Sequence, residues 1–170
     1  MKVARLLTEA TVDLSSPSQR EEYADEVWKM IQMAYKHVGT GGADISDLVQ
    51  TPGVWRLIMK DGQLVGGAIY RNHNGLKLRL IFHNGTPNGK QSVIQMMAND
   101  IFVGRAWGEF SGQLERVMMR LGARPVSNMY ASKLLGKRVK EMDKDGYHYL
   151  RDVGNGNIKR EIILGNPTKY

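Results

Sequence analysis

The chain has no cysteine, and that absence removes disulfides, thiolate nucleophiles and cysteine-ligated zinc or iron–sulfur centres together. Any chemistry must run through oxygen and nitrogen groups or a bound cofactor. Histidine is scarce as well, and His37, His73, His83 and His148 show no metal-ligand spacing to one another. No segment approaches the roughly 20 apolar residues that span a bilayer, and the opening MKVARLLTEATVDL holds no long apolar run. A soluble, cytoplasmic protein with no membrane partner is expected. Repeats, low-complexity tracts and linkers are missing too, so residues 1–170 read as a single domain.

The apolar fraction of 42% is enough for a full core, and 24% charged residues is ordinary for a globular chain. The formal net charge of +7 and the pI near 9.7 favour a polyanionic partner, either nucleic acid or a phosphorylated cofactor. Lysine and arginine run from Lys2 to Lys169 without a dense basic stretch, which argues against a dedicated nucleic-acid surface.

Periodicity organises the rest. SQREEYADEVWKMIQMAYKH, residues 18–37, places Val27, Met30, Ile31, Ala34 and Tyr35 at helical spacing behind Pro17. The GTGG loop follows, and Asp44 or Ser46 is placed to cap a short helix through Leu48 and Val49 that stops before Pro52. VWRLIMK, QLVGGAIYRNH and LKLRLIFH are then separated by Asp61-Gly62 and Asn74-Gly75, the dipeptides that two-residue hairpins require, so a three-stranded antiparallel meander is expected. In its third strand Leu76, Leu78, Leu80 and Phe82 fall on one face, with Lys77, Arg79 and His83 on the other.

GKQSVIQMMANDIFVG reads as a helix with Val93, Ile94, Met97, Ala98 and Ile101 on its apolar stripe. RAWGEFSG, residues 105–112, reads as a strand, and QLERVMMRLG as a helix ended by Gly122. Strand, helix, strand is a crossover, which places 105–112 parallel to the strand ending at His83. ARPVSNMYASKLLGKRVKEMDKDG reads as a loop holding a short helix over 129–135, before two strands joined through Gly154-Asn155-Gly156. The ten methionines, Met96, Met97, Met118 and Met119 among them, sit at helical positions and read as core.

The loop HNGTPNGK, 83–90, runs straight into a helix, and helix starts present unpaired N–H groups that suit phosphate. It is not an ATP-binding P-loop: Gly85 and Gly89 enclose three residues where four are needed, and Lys90 precedes Gln91 rather than Ser or Thr. Asn and Gly turning the chain and capping the helix is the simpler alternative.

The order of elements (helix, short helix, meander, glycine loop, helix, strand, helix, strand, strand) resembles the Gcn5-related N-acetyltransferase superfamily, from about Val3 to Leu164. The resemblance implies an α/β fold with a mixed, mostly antiparallel sheet and helices on both faces. In that family the fourth strand ends at a loop of the type Gln/Arg-x-x-Gly-x-Gly/Ala whose amides hold the pyrophosphate of acetyl-coenzyme A. Here it falls on Thr86-Pro87-Asn88-Gly89-Lys90-Gln91 with Ser92 following: Gly89 matches, Thr86 stands where Gln or Arg is usual, and Gln91 where a small residue is usual.

The resemblance thus implies acetyl-coenzyme A as cofactor and an amine as acceptor, with Gly89, Lys90, Gln91 and Ser92 at the pyrophosphate and Ile81 and Phe82 along the pantetheine arm. SGQLERVMMRLGARPV is similar to the family's last helix and its glycine turn. Val117, Met118 and Met119 occupy the turn where many members carry a thiolate-protonating tyrosine. Tyr130 is the nearest substitute downstream, with Tyr147 and Tyr149 next, against the plainer reading of strand packing.

Amine acylation needs a base. Glu109, on the strand opposite to Phe110, is the candidate, with a merely ion-paired glutamate as the alternative. His83, beside the loop, is the second candidate, against backbone hydrogen bonding. For the acceptor, the GTGG loop and the surface residues Arg71, Lys77 and Arg79 suit an acidic or nucleic-acid substrate. The chain is also similar in style to acetyltransferase-like proteins of bacteriophages, some of which belong with DNA-modifying enzymes. That keeps open a nucleic-acid-modifying or nucleic-acid-binding role without ordinary acetyltransferase activity, in a host cytoplasm.

Overall fold

The computed structural model describes residues 9–36, 44–135 and 147–166. The GTGG loop, His37 and the whole of GKRVKEMDKDG lie outside them. The chain is α/β, with strands that pair mostly antiparallel, and it divides into two compact units: Met1–Asn72 with Leu78–Gln95, and His73–Lys77 with Met96–Tyr170.

The first unit opens with β1 (Glu9–Leu14), antiparallel to β2 (Gly53–Lys60) with Leu14 opposite Trp55. This strand was not anticipated, although Ala10, Val12 and Leu14 alternate with Glu9, Thr11 and Asp13 as a half-buried strand does. A capping box at Ser16 and Gln19, with Pro17 in the first turn, starts α1 (Pro17–Glu21).

The single expected helix over 18–37 is in fact two, because α1 closes at Glu22 and α2 (Ala24–Tyr35) starts afresh. The short first helix turns Arg20 inward. The residue is 1% exposed, and its guanidinium donates to the carbonyls of Leu14 (3.4 Å), Val49 (2.7 Å), Thr51 (3.0 Å) and Gly53 (2.6 Å). α2 buries Val27 and Ile31 fully, with Met30 and Tyr35 at the rim of the same cluster.

Asp44 caps α3 (Ile45–Gln50) by accepting from the Ser46 amide at 2.7 Å. Of the two cap candidates it is the one used. Then β2, β3 (Gln63–Asn72) and β4 (Leu76–His83) follow in order, with positive φ at Asp61, Gly62, Asn74 and Gly75 as the turn dipeptides required. Leu80 and Phe82 enter the core with Trp55, Leu57 and Ile69.

The second unit starts at His73 and takes in Leu76 and Lys77 of β4. Leu76 pairs with Ala106 and Lys77 with Trp107, in the expected parallel sense, joining β4 to β5 (Ala106–Phe110) after the crossover helix α4 (Pro87–Phe102). Trp107 is fully buried, and its indole N–H donates to the carbonyls of His73 and Asn74 at 3.1 Å each. β5 is thus covered on both faces, as a strand in a parallel crossover tends to be.

α5 (Gly112–Arg120) ends at Gly122, whose φ of 111° is the left-handed value a helix stop uses. A two-residue β6 (Arg124–Pro125) and α6 (Asn128–Leu135) follow. Beyond them β7 (Tyr149–Gly154) and β8 (Asn157–Gly165) form a hairpin, and β8 pairs antiparallel with β5 and β6 as well. Among the described residues no helix is long and apolar enough to cross a membrane.

Candidate functional site

The loop after β4 lies in the first unit, and its hydrogen bonds are local. Thr86 caps α4: its hydroxyl accepts from the Gly89 amide at 3.0 Å, and its carbonyl accepts from the Lys90 amide at 3.0 Å. Asn84 Oδ1 accepts in turn from the Thr86 amide (3.1 Å) and hydroxyl (2.7 Å). His83 Nδ1 accepts from the Gly85 amide at 3.0 Å.

A Cβ added at Gly89 would lie 2.3 Å from Asn84 Oδ1 and 2.9 Å from Thr86 Oγ1, so glycine is needed there for the cap itself. An anion at this helix start must take the Gly89 amide from the Thr86 hydroxyl. Rotating that hydroxyl away also breaks its bond to Asn84 Oδ1, so the exchange costs two hydrogen bonds.

The other predicted residues of this unit sit around that cap. Lys90 and Gln91 are exposed and Ser92 is half-buried. The Ile81 carbonyl accepts from the Tyr35 hydroxyl at 3.0 Å, while Phe82 is fully buried in the core. His83 has its proton affinity lowered by burial and by the nearby charge of Lys90. With Nδ1 acting as an acceptor, the ring is held neutral.

The second unit gathers a denser polar cluster. Glu109 Oε1 is ion-paired with Lys77, and Oε2 accepts from the Tyr149 hydroxyl at 2.5 Å. The side chains of Lys77 and Glu109 are only 12% and 14% exposed. Lys77, expected at the surface with Arg71 and Arg79, is therefore drawn in as a counter-ion.

Tyr149 also lies 3.4 Å from Glu161 Oε2, and Glu161 Oε1 accepts from Arg151 (3.1 Å) and Lys159 (3.4 Å). Register explains the assembly. On β8, Ile163 faces Glu109 and Glu161 faces Tyr149. Close by, His148 Nε2 lies 2.6 Å from Glu115 Oε1.

Environment separates the two carboxylates. Burial alone would raise the proton affinity of Glu109, but hydrogen bonds from Lys77 and Tyr149 and the charge of Lys77 outweigh it, holding the carboxyl well below the usual range. Glu161 is pushed up, by burial first and by the charge of Glu109, against the opposing pull of Arg151 and Lys159. Tyr149 is pushed far up by burial, by its bond to Glu109 and by both negative charges, and stays protonated. The cluster thus pairs an ionised carboxylate with a neutral phenol.

Of the three predicted catalytic residues, Glu109 belongs to this cluster, His83 to the loop of the other unit, and Tyr130 to the exposed side of α6, 38% exposed. The tyrosine that meets Glu109 is Tyr149, named after Tyr130 together with Tyr147. Lys77, Glu161 and Tyr35 were not singled out for these contacts. The signals available were the alternation of Lys77 with half-buried leucines and a lone glutamate ahead of the apolar run Ile162–Leu164. No protein-family model matches the chain, and no curated protein sequence does either.

Proposed function

We propose that this chain is an acyl-coenzyme A-dependent N-acyltransferase, with acetyl-coenzyme A as cofactor and an amine as acceptor, on the scaffold of the Gcn5-related N-acetyltransferase superfamily. The observation that carries the reading is the passage from β4 through the short loop 84–86 into the 16-residue helix α4, which holds Gly89 in its first turn, and on to the parallel strand β5 bearing Glu109. With β1 counted, the strand that ends at this loop is the fourth, as the resemblance requires.

In this reading the amine nitrogen attacks the thioester carbonyl carbon and the carbon–sulfur bond breaks. The amine's proton passes to Glu109, and the leaving thiolate takes a proton from the Tyr149 hydroxyl, which takes this role in place of Tyr130 because it meets Glu109. Amides at the start of α4 hold the pyrophosphate once Thr86 releases Gly89, and Lys90 adds a charge.

Calorimetry with acetyl-coenzyme A tests it. Saturable binding weakened about tenfold by Lys90→Glu is expected, because an exposed charge reversal acts on the anion and leaves the fold alone. No heat at millimolar cofactor contradicts the reading.

The net charge of +7 supports a second one, a nucleic-acid-modifying or nucleic-acid-binding protein of bacteriophage type on the same scaffold. Mobility shifts of duplex DNA that vanish at moderate salt, with no cofactor affinity, select it.

A further inference from the structure

Within the first unit, α3, β3 and β4 enclose a cavity of about 370 Å³. That is a small-molecule volume, near the lower end of the range for ligand pockets. Its lining has an uneven charge: Arg71 and Arg79 contribute two guanidinium groups and Asp47 one carboxylate, with Leu48 and Ile69 as the apolar part.

The two arginines differ from the others near buried surface. Arg20 is satisfied by four carbonyls, Arg105 by Asp100 at 3.0 Å, and Arg151 by Glu161 at 3.1 Å. Among the described residues neither Arg71 nor Arg79 is paired with a carboxylate, although Arg71 is half-buried. Two like charges sharing one small cavity repel each other, and an anion between them relieves the repulsion. The guanidinium fork matches a planar carboxylate or a phosphate.

We propose that this cavity binds a small organic anion, its carboxylate or phosphate held by Arg71 and Arg79 and its apolar part against Leu48 and Ile69. Asp47 is exposed in the same lining and gives such a molecule a place for an ammonium group. The ligand class is therefore a small amine that also carries an acid group. That this molecule is the acyl acceptor rests on the acyltransferase reading; the anion site does not.

Backbone amide NMR shifts during titration with β-alanine and with O-phosphoethanolamine test the site and separate carboxylate from phosphate. Saturable shifts at Thr51, Arg71 and Arg79 with at least one probe are expected. Arg79→Gln, at an exposed position, and Arg71→Gln should each weaken binding about tenfold, and Arg71→Lys should fail to restore it because one ammonium lacks the fork. Arg105→Gln should leave it unchanged.

The proposal is overturned if neither probe shifts these amides at millimolar concentration, if both Gln variants bind as the wild type does, or if only duplex DNA produces the shifts. Acetyl-coenzyme A affinity on the same samples keeps the two readings apart. Probe binding without cofactor binding sinks the acyltransferase and leaves the pocket, and the reverse sinks the pocket alone.

Discussion

The Tyr149 hydroxyl donates to Glu109 at 2.5 Å, across 40 residues of sequence, because both residues sit on strands that pair with β8. Removing that hydroxyl leaves one oxygen of a half-buried carboxylate unserved, which typically costs about 1–3 kcal/mol. Tyr149→Phe is expected to lower the unfolding free energy by that amount at neutral pH, seen as a lower urea midpoint with an unchanged slope. Indifference to the substitution would remove the cluster as a stabilising element.

The sign of the pH dependence follows from the two carboxylates of the cluster, Glu109 and Glu161. Glu109 has a depressed proton affinity in the fold, so its contribution is present above the usual carboxylate range and is lost as pH falls through its folded value. Glu161 is raised, so its contribution runs the other way, present at low pH and lost as pH rises through its folded value. Glu109→Gln should flatten the acid limb of the stability curve, and Glu161→Gln should raise stability on the neutral side relative to wild type. The same limb steepening in both variants would contradict the assignment.

Lys77 sets the charge state of Glu109. Lys77→Met strands a largely buried carboxylate, an effect of about 3–5 kcal/mol for fully buried pairs and smaller here where water still reaches. Lys77→Met combined with Glu109→Gln should recover most of the loss in a double-mutant cycle. If acyl transfer is measured, Lys77→Met also moves the acid limb of the rate profile to higher pH, because the base then binds its proton more tightly.

Arg20 joins β1, α3 and β2 through four carbonyls. Arg20→Met should cost more than about 3 kcal/mol, since several buried acceptors lose their donor at once. Arg20→Lys should recover little of it, because one ammonium does not reach across the same fork. Chemical denaturation at neutral pH reads both, and a full rescue by lysine would show that charge alone matters.

Much of the fold was legible because its signals are local. Asp61-Gly62 and Asn74-Gly75 need positive φ and mark their hairpins without reference to the rest of the chain. Asn155-Gly156 does the same between β7 and β8. β1 was overlooked because its residues are weakly buried, only Leu14 reaching the core, and its partner β2 lies some 40 residues away.

The candidate site was half legible for the same reason. Glu109 stands out as a charge on a buried strand, but nothing local tells that Tyr149 rather than Tyr130 reaches it, or that Lys77 turns inward. Those contacts come from the pairing of β5 and β7 with β8 and of Lys77 with Trp107, which are long-range facts.

The most direct measurement is a crystal of the full chain soaked with coenzyme A. The acyltransferase reading predicts density for the pyrophosphate at the start of α4, with the Gly89 amide turned to it and the Thr86 hydroxyl rotated off its present 3.0 Å bond. Clear density for the Thr86–Gly89 bond at millimolar coenzyme A, with no ligand beside it, contradicts the reading.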